Sequence, residues 1–291
     1  MRSLLLVGLL ATTLAGTVAA APTAVSAVNM PAWLERTGEM RPLAPGIRLQ
    51  SGDVLHTGRG ARVLLTLPEG SQLKLGEEAV FRVDNLNVSD GKKTPFVAAV
   101  HVLQGAFRFT TGLLDKVRQR EVDIRVATVT AGIRGTDLWG KADAEKDLVC
   151  LLEGRVSVEH EGESGFTNLD QPLDFYVAPK GKPALPVAKV DADKVARDWA
   201  PQTEPQAGKG LASAAGRWRL VLALPDNQDE ALRWYDTLRE AGYAAKIRPL
   251  TQGRFRVGLE QLASEADART LGERLKAELQ TPLSTTMRMG E

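Results

Sequence analysis

Between residues 33 and 179 apolar and polar positions alternate in short runs. The runs are ARVLLTL (61–67), SQLKLG (71–76), AVFRV (79–83), AAVHVLQGAFRFTT (98–111), EVDIRVATVT (121–130), DLVCLLEG (147–154) and RVSVEH (155–160). In the fifth run Val122, Ile124, Val126 and Thr128 fall on one face, with Asp123, Arg125 and Ala127 on the other. A period of two marks half-buried strands. Turn chemistry separates them at Pro68-Glu69-Gly70, Ser89-Asp90-Gly91 and Glu153-Gly154. No helical period persists, so this region is predicted to be a β-sandwich or β-roll.

The pattern changes twice after residue 179. Residues 180–215 contain Pro183, Pro186, Pro201 and Pro205, and only VDADKVARDW (190–199) looks briefly helical. That composition predicts a semi-flexible linker. From residue 216 a strand (217–224) leads into a helix opened by a capping-box pair, Asn227 and Glu230. Its inner face is Ala231, Trp234, Tyr235, Leu238 and Ala241, and Gly242 ends it. Strands follow at 243–249 and 254–259. Ser264 opens a second helix with Ala268, Leu271, Leu275 and Leu279 inward, and a last strand is placed near 285–289. The two strand-helix-strand units repeat each other. RWR around Trp218 matches RFR around Phe255, and Glu230-Ala231 matches Asp267-Ala268. Neither unit can bury its face alone, but two together form a small α+β domain with about four strands and two helices on one side.

The chain start adds an address. Met1-Arg2 precedes an apolar stretch rich in leucine, and Val18-Ala19-Ala20 offers the small residues that a signal peptidase reads. This predicts a secretory signal peptide cleaved near Ala20. No later run approaches the roughly 20 apolar residues of a membrane span. The expected organisation is signal peptide 1–20, β domain 33–179, linker 180–215 and C-terminal domain 216–291. A net charge of +1 argues against a protein built to grip nucleic acid. The single cysteine, Cys150, provides no disulfide frame and reads as a core hydrophobe.

Candidate chemistry is sparse. The stretch RVATVTAGIRGTDLWGK (125–141) places Gly132 and Gly135 around Arg134, followed by Thr136 and Asp137. A phosphate loop needs a helix after its glycines, and a strand follows here. His56, His101 and His160 are scattered without ligand spacing. Thr136 and Asp137 therefore read as turn-tying residues, with Arg134, lifted by its glycines, a partner contact. No catalytic residue, metal site or cofactor is assigned.

Alternation in the C-terminal strands gives the sharper candidates. Trp218, Leu220, Leu222 and Leu224 are predicted to meet the helices, as are Phe255, Val257 and Leu259. Arg217, Arg219, Val221 and Ala223 then face out, together with Arg254, Arg256, Gly258, Lys246 and Arg248. Arg219, Lys246, Arg248, Arg254 and Arg256 make an open basic face, suited to carboxylates through the planar guanidinium fork.

Two family resemblances lie on these residues. GDVLHTG (52–58), ARVLLTLPEGS (61–71) and AGIRGTDLWG (131–140) resemble the ordered motifs of a FecR domain, over about residues 46–160. That resemblance implies a non-enzymatic periplasmic β module. Its best-known form is a sensor with a membrane span and cytoplasmic tail, and neither is read here. The last 75 or so residues resemble a SPOR domain, a duplicated strand-helix-strand module that binds septal peptidoglycan. Val221 and Ala223 stand where that family carries Gln and Gly on its first strand, and Glu260 where the third strand ends in Gly. Together they imply a non-enzymatic exported binding or scaffold protein of the periplasm. Its FecR-like module would recognise a periplasmic or envelope protein, and its SPOR-like module peptidoglycan glycan strands or stem peptides. One alternative is a periplasmic signalling regulator that docks a membrane sensor. The other is a cell-wall hydrolase.

Overall fold

The computed structural model describes residues 22–87, 96–112, 120–133, 135–279 and 286–289. The predicted signal peptide lies outside them. In chain order the first part comprises β1 (Ala24–Asn29), β2 (Ala32–Arg36), β3 (Glu39–Pro42), β4 (Val54–Thr57), β5 (Arg62–Thr66), β6 (Gln72–Leu75), β7 (Val80–Asn87) and β8 (Phe96–Thr110). It continues through β9 (Arg120–Val126), β10 (Val129–Ile133), β11 (Asp137–Ala142), β12 (Lys146–Glu153), β13 (Val156–His160), β14 (Thr167–Leu169), β15 (Asp174–Pro179) and β16 (Ala188–Lys189).

These strands form two layers. One has the order β3–β2–β4–β7–β8–β9–β10–β13–β14. The other has the order β16–β15–β12–β11–β8–β6–β5–β1. Pairing is antiparallel except between β8 and β9. The inward positions of both layers, among them Leu34, Leu55, Phe81, Phe107, Ile124 and Val149, make one core. Alternation works as a guide here because each strand has one face in that core. β8 belongs to both layers, with Phe96–Gln104 in the first and Gly105–Thr110 in the second. The changeover requires glycine. Gly105 has φ +91°, and a Cβ there would lie 2.5 Å from the Ala79 Cβ.

The run read as one strand over 121–130 is a hairpin, β9 to β10, with Ala127 at φ 44°. β1 lies before the expected start of the β domain, yet Val25 and Val28 are core residues.

Residues 180–215 pack down on this framework. A short helix, α1 (Ala192–Lys194), continues as irregular helical turns to Gln202. Trp199 stacks on Trp139 with ring centroids 4.6 Å apart, and Phe175 lies 5.2 Å away. They form a satellite core with Val195, Leu148 and Cys150. Pro201 sits in the first turn of a 3-10 helix, where its missing N–H is no loss. Glu204 accepts Lys74 at 2.7 Å and Arg108 at 3.1 Å. β17 (Leu211–Ser213) then pairs with β1.

The C-terminal part comprises β18 (Trp218–Ala223), α2 (Gln228–Glu240), β19 (Ala245–Pro249), β20 (Phe255–Leu262), α3 (Glu265–Leu279) and β21 (Thr286–Met289). Its antiparallel sheet has the order β21–β18–β20–β19, with both helices packed on it. Asn227 Oδ1 accepts the Glu230 N–H at 2.9 Å, and Ser264 Oγ accepts the Asp267 N–H at 3.1 Å, so each helix starts on a side-chain cap. Asp267 also accepts the N–H groups of Gly210 and Leu211, which ties α3 to β17. Gly242, at the end of α2, lies so close to Trp33 that a Cβ would approach its ring to 2.5 Å. No helix among the described residues is long and apolar enough to cross a membrane.

Strict alternation does not survive in β18. Leu220 and Leu222 are buried as predicted, but Val221 and Ala223 are buried too, and Leu224 is 51% exposed. The bulge in β18 turns Ala223 into the core and Leu224 out of it, whereas Val221 precedes that bulge and is buried outside the main core cluster. Residues 259–262 of β20 oppose 218–220 of β18, and residues 221–223 of β18 oppose 257–258 of β20. Each bulge adds an unpaired residue and turns the side chains beyond it.

Candidate functional site

The 131–140 turn is a structural joint. Arg108 grips Asp137 with two hydrogen bonds, 2.9 and 2.7 Å, from the neighbouring strand. That bidentate contact raises the Arg108 pKa, and burial works against it. Thr136 is buried, and its N–H donates to Thr111 Oγ1 at 2.9 Å. Gly135 has φ +70°, and its carbonyl lies where a Cβ on Gly154 would fall, 2.4 Å away. Gly132 has neither a positive φ nor a crowded Cβ site. Arg134 lies outside the described residues. Asp53 is held similarly, accepting Arg36 in two bonds of 2.7 Å and the Gln50 N–H at 2.8 Å. Buried Asp147 accepts Lys180 at 2.6 Å and both Thr128 donors. Such carboxylates are fully engaged in the frame. Among the described residues no group of three or more His, Cys, Asp or Glu is arranged to hold a metal ion.

The C-terminal sheet offers a concave site instead. Arg217, Trp218, Arg219, Arg248, Arg256 and Glu260 line a pocket of about 440 Å³. The β20 bulge borders it. Gln261 adopts φ 60°, and the chain at Gly216 presses against its carbonyl, where a Cβ would sit 2.0 Å away. Glu260 accepts Arg248 of β19 through two bonds, 2.9 and 2.6 Å. Arg248 holds the Glu260 carboxyl below the usual range against the effect of burial, with Arg256 and Lys246 adding to the lowering.

Of the five predicted basic residues, the structure brings Arg219, Arg248 and Arg256 together. Lys246 is exposed two residues before Arg248 on β19 and adds its field at Glu260. Arg254 precedes β20 in a turn and lies outside the pocket. Trp218, predicted to face the helices, contributes to the pocket wall and is half-buried. Arg217 and Glu260 complete the lining. Alternation pointed Arg217 outward, but the bulge beside Glu260 left no mark in the sequence pattern.

Two layers of β-sheet, with their charged groups tied into their own frame, define a class of β module. Residues 53–157, which span β4 to β13, match the family model described as FecR protein. No curated protein matches the chain. Among solved structures, a proposed anti-sigma factor from Parabacteroides distasonis is similar at 15% identity and TM-score 0.40, covering 82% of this chain and 99% of that one. A second structure with the same description has 13% identity and TM-score 0.39, with the same coverage.

Proposed function

We propose that this chain is a non-enzymatic regulator outside the cytoplasm, which works by recognising a protein partner. The observation that carries the reading is the FecR match over residues 53–157, which contribute most of the sandwich. FecR is a regulatory, non-catalytic family, and the joints at Asp53, Asp137 and Asp147 fit a scaffold better than an active site. The mature chain, immobilised and exposed to a periplasmic extract, is expected to retain a specific protein. Release of soluble muropeptides from peptidoglycan by the purified protein would overturn the reading in favour of a hydrolase.

A second reading, a SPOR-like module that binds peptidoglycan, is favoured by one observation, the arginine-lined pocket on the C-terminal sheet. Under it, sedimented sacculi carry the protein down, and Arg219→Ala with Arg256→Ala releases it without changing the thermal melt. Absence of the wild-type chain from the pellet removes this reading.

A further inference from the structure

We infer that the outer face of the second layer is the docking surface for the protein partner, and that residues 190–205 cover it as a releasable strap, a stand-in for an amphipathic helical segment of that partner. This rests on the regulator reading above. The strap crosses the layer from Leu173, whose carbonyl accepts the Val190 N–H, to Asn29 on β1, which accepts the Gln206 N–H. Of its residues only Val195, Trp199 and Thr203 are buried. They recur at every fourth position, the spacing by which one helix face enters a groove. Side chains hold the strap down. Trp199 lies on Trp139 and Phe175, Val195 joins them, and Glu204 sits between Lys74 and Arg108. Among the described residues no bond between backbone groups joins 191–205 to a strand, so the strap can lift without breaking a ladder.

The strap matches what lies beneath it imperfectly. Trp139 is 1% exposed, yet its indole N–H meets no acceptor among the described residues. Arg62 is buried, its Nε is likewise unpaired, and its bond to the strap is long, 3.5 Å to the Pro201 carbonyl. A buried donor left unpaired is costly. The helical turns are mixed as well, α over Ala192–Lys194, π over Val195–Trp199 and 3-10 over Ala200–Gln202, so the strap draws little cohesion from its own helix. Arg62, Lys74, Arg108 and Trp139 all lie within the residues 53–157 that match the family, whereas the strap lies outside them. The module thus carries the surface, and a segment from beyond the module supplies the cover. The chemistry of the partner segment follows from the strap. It brings an aromatic ring for Trp139 and Phe175, an apolar residue one turn before that ring, and a carboxylate five residues after it for Lys74 and Arg108. A buried aromatic anchor beside a charge-assisted pair is the make-up of an interface hot spot. A segment that holds more tightly than the strap also brings acceptors to Trp139 and Arg62.

Fluorescence anisotropy of a labelled peptide copying residues 190–205, titrated with the full chain, tests this. The wild-type chain is expected to bind it weakly, because its own strap competes at high effective concentration. Trp199→Ala with Glu204→Gln should bind it about tenfold tighter or more, and the same peptide with alanine for its tryptophan should not bind. If the double variant melts early, Glu204→Gln alone, at a partly exposed side chain, is expected to tighten binding about threefold. The peptide should also release the protein that the immobilised chain retains from a periplasmic extract. Equal binding by the wild type and both variants, equal binding of the alanine peptide, or a retained protein that the peptide does not release would overturn the inference. In the last case the regulator reading stands. If no protein is retained at all, both fall.

Discussion

At the residue scale, burial sets what Cys150 and His101 can do. Cys150 is fully buried in β12, and burial, with Asp174 adding to it, pushes its thiol up to about 12. Only the thiolate reacts readily. The native chain is therefore expected to resist iodoacetamide in mildly alkaline buffer and to be alkylated at one site after unfolding, as read by mass spectrometry. His101 is buried on β8 between Arg82 and Arg125, its strand neighbours. Burial first, then the two arginines, lower its pKa from the ordinary 6.5. The folded state thus binds fewer protons than the unfolded state as pH falls below 6.5. Stability is fully present above that value and declines as acid titrates the unfolded imidazole down to the folded pKa. His101→Gln is expected to flatten the fall in melting temperature over this window. The sequence marked Cys150 as a small core hydrophobe because its neighbours are apolar. It showed His101 only as a histidine without ligand spacing, because both arginines reach it from other strands.

At the element scale, strands were legible wherever one face enters the core, and illegible where distant groups hold the backbone. The β9–β10 turn shows the second case. Ala127 and Thr128 are not turn formers, yet the Ala127 N–H donates to Val102 and buried Asp147 accepts both Thr128 donors. No local pattern announces partners that far away. The same holds for residues 190–205, whose proline content reads as a linker until Trp199 meets Trp139. Trp199→Ala is expected to destabilise by about 3 kcal/mol through loss of the buried ring. It should also speed tryptic cleavage at Lys194 and Arg197, with urea unfolding and timed digestion as the measurements. β8 has its own critical position. Gly105→Ala combines positive φ with a clash against Ala79, and is expected to cost roughly 2–4 kcal/mol in the same urea assay. The pocket divides similarly. Its arginines were legible from alternation, but the bulge at Gln261 on its rim was not.

At the scale of the whole molecule, the two modules share a seam. β17 links β1 to β20, Gly242 abuts Trp33, and Arg274 donates to the Met30 carbonyl at 2.5 Å. The chain is accordingly expected to unfold in a single calorimetric transition, whereas two separated transitions would show modules that unfold independently. The position of β1 has a further effect, on the order in which the chain can complete itself. Emerging amino end first from a ribosome or a translocation pore, β1 finds β5 early, because Asn29 pairs with Arg62. On the opposite edge Ala24 and Val25 meet residues 46–48 early, but the edge of Ala27–Asn29 stays unpaired until Leu211 has been delivered to the same Asn29. An open strand edge held through most of synthesis invites pairing with another nascent chain. Fragments ending before Leu211 are thus expected to aggregate on release, and those extending beyond Ser213 to remain dispersed, in a pelleting assay of stalled and terminated chains.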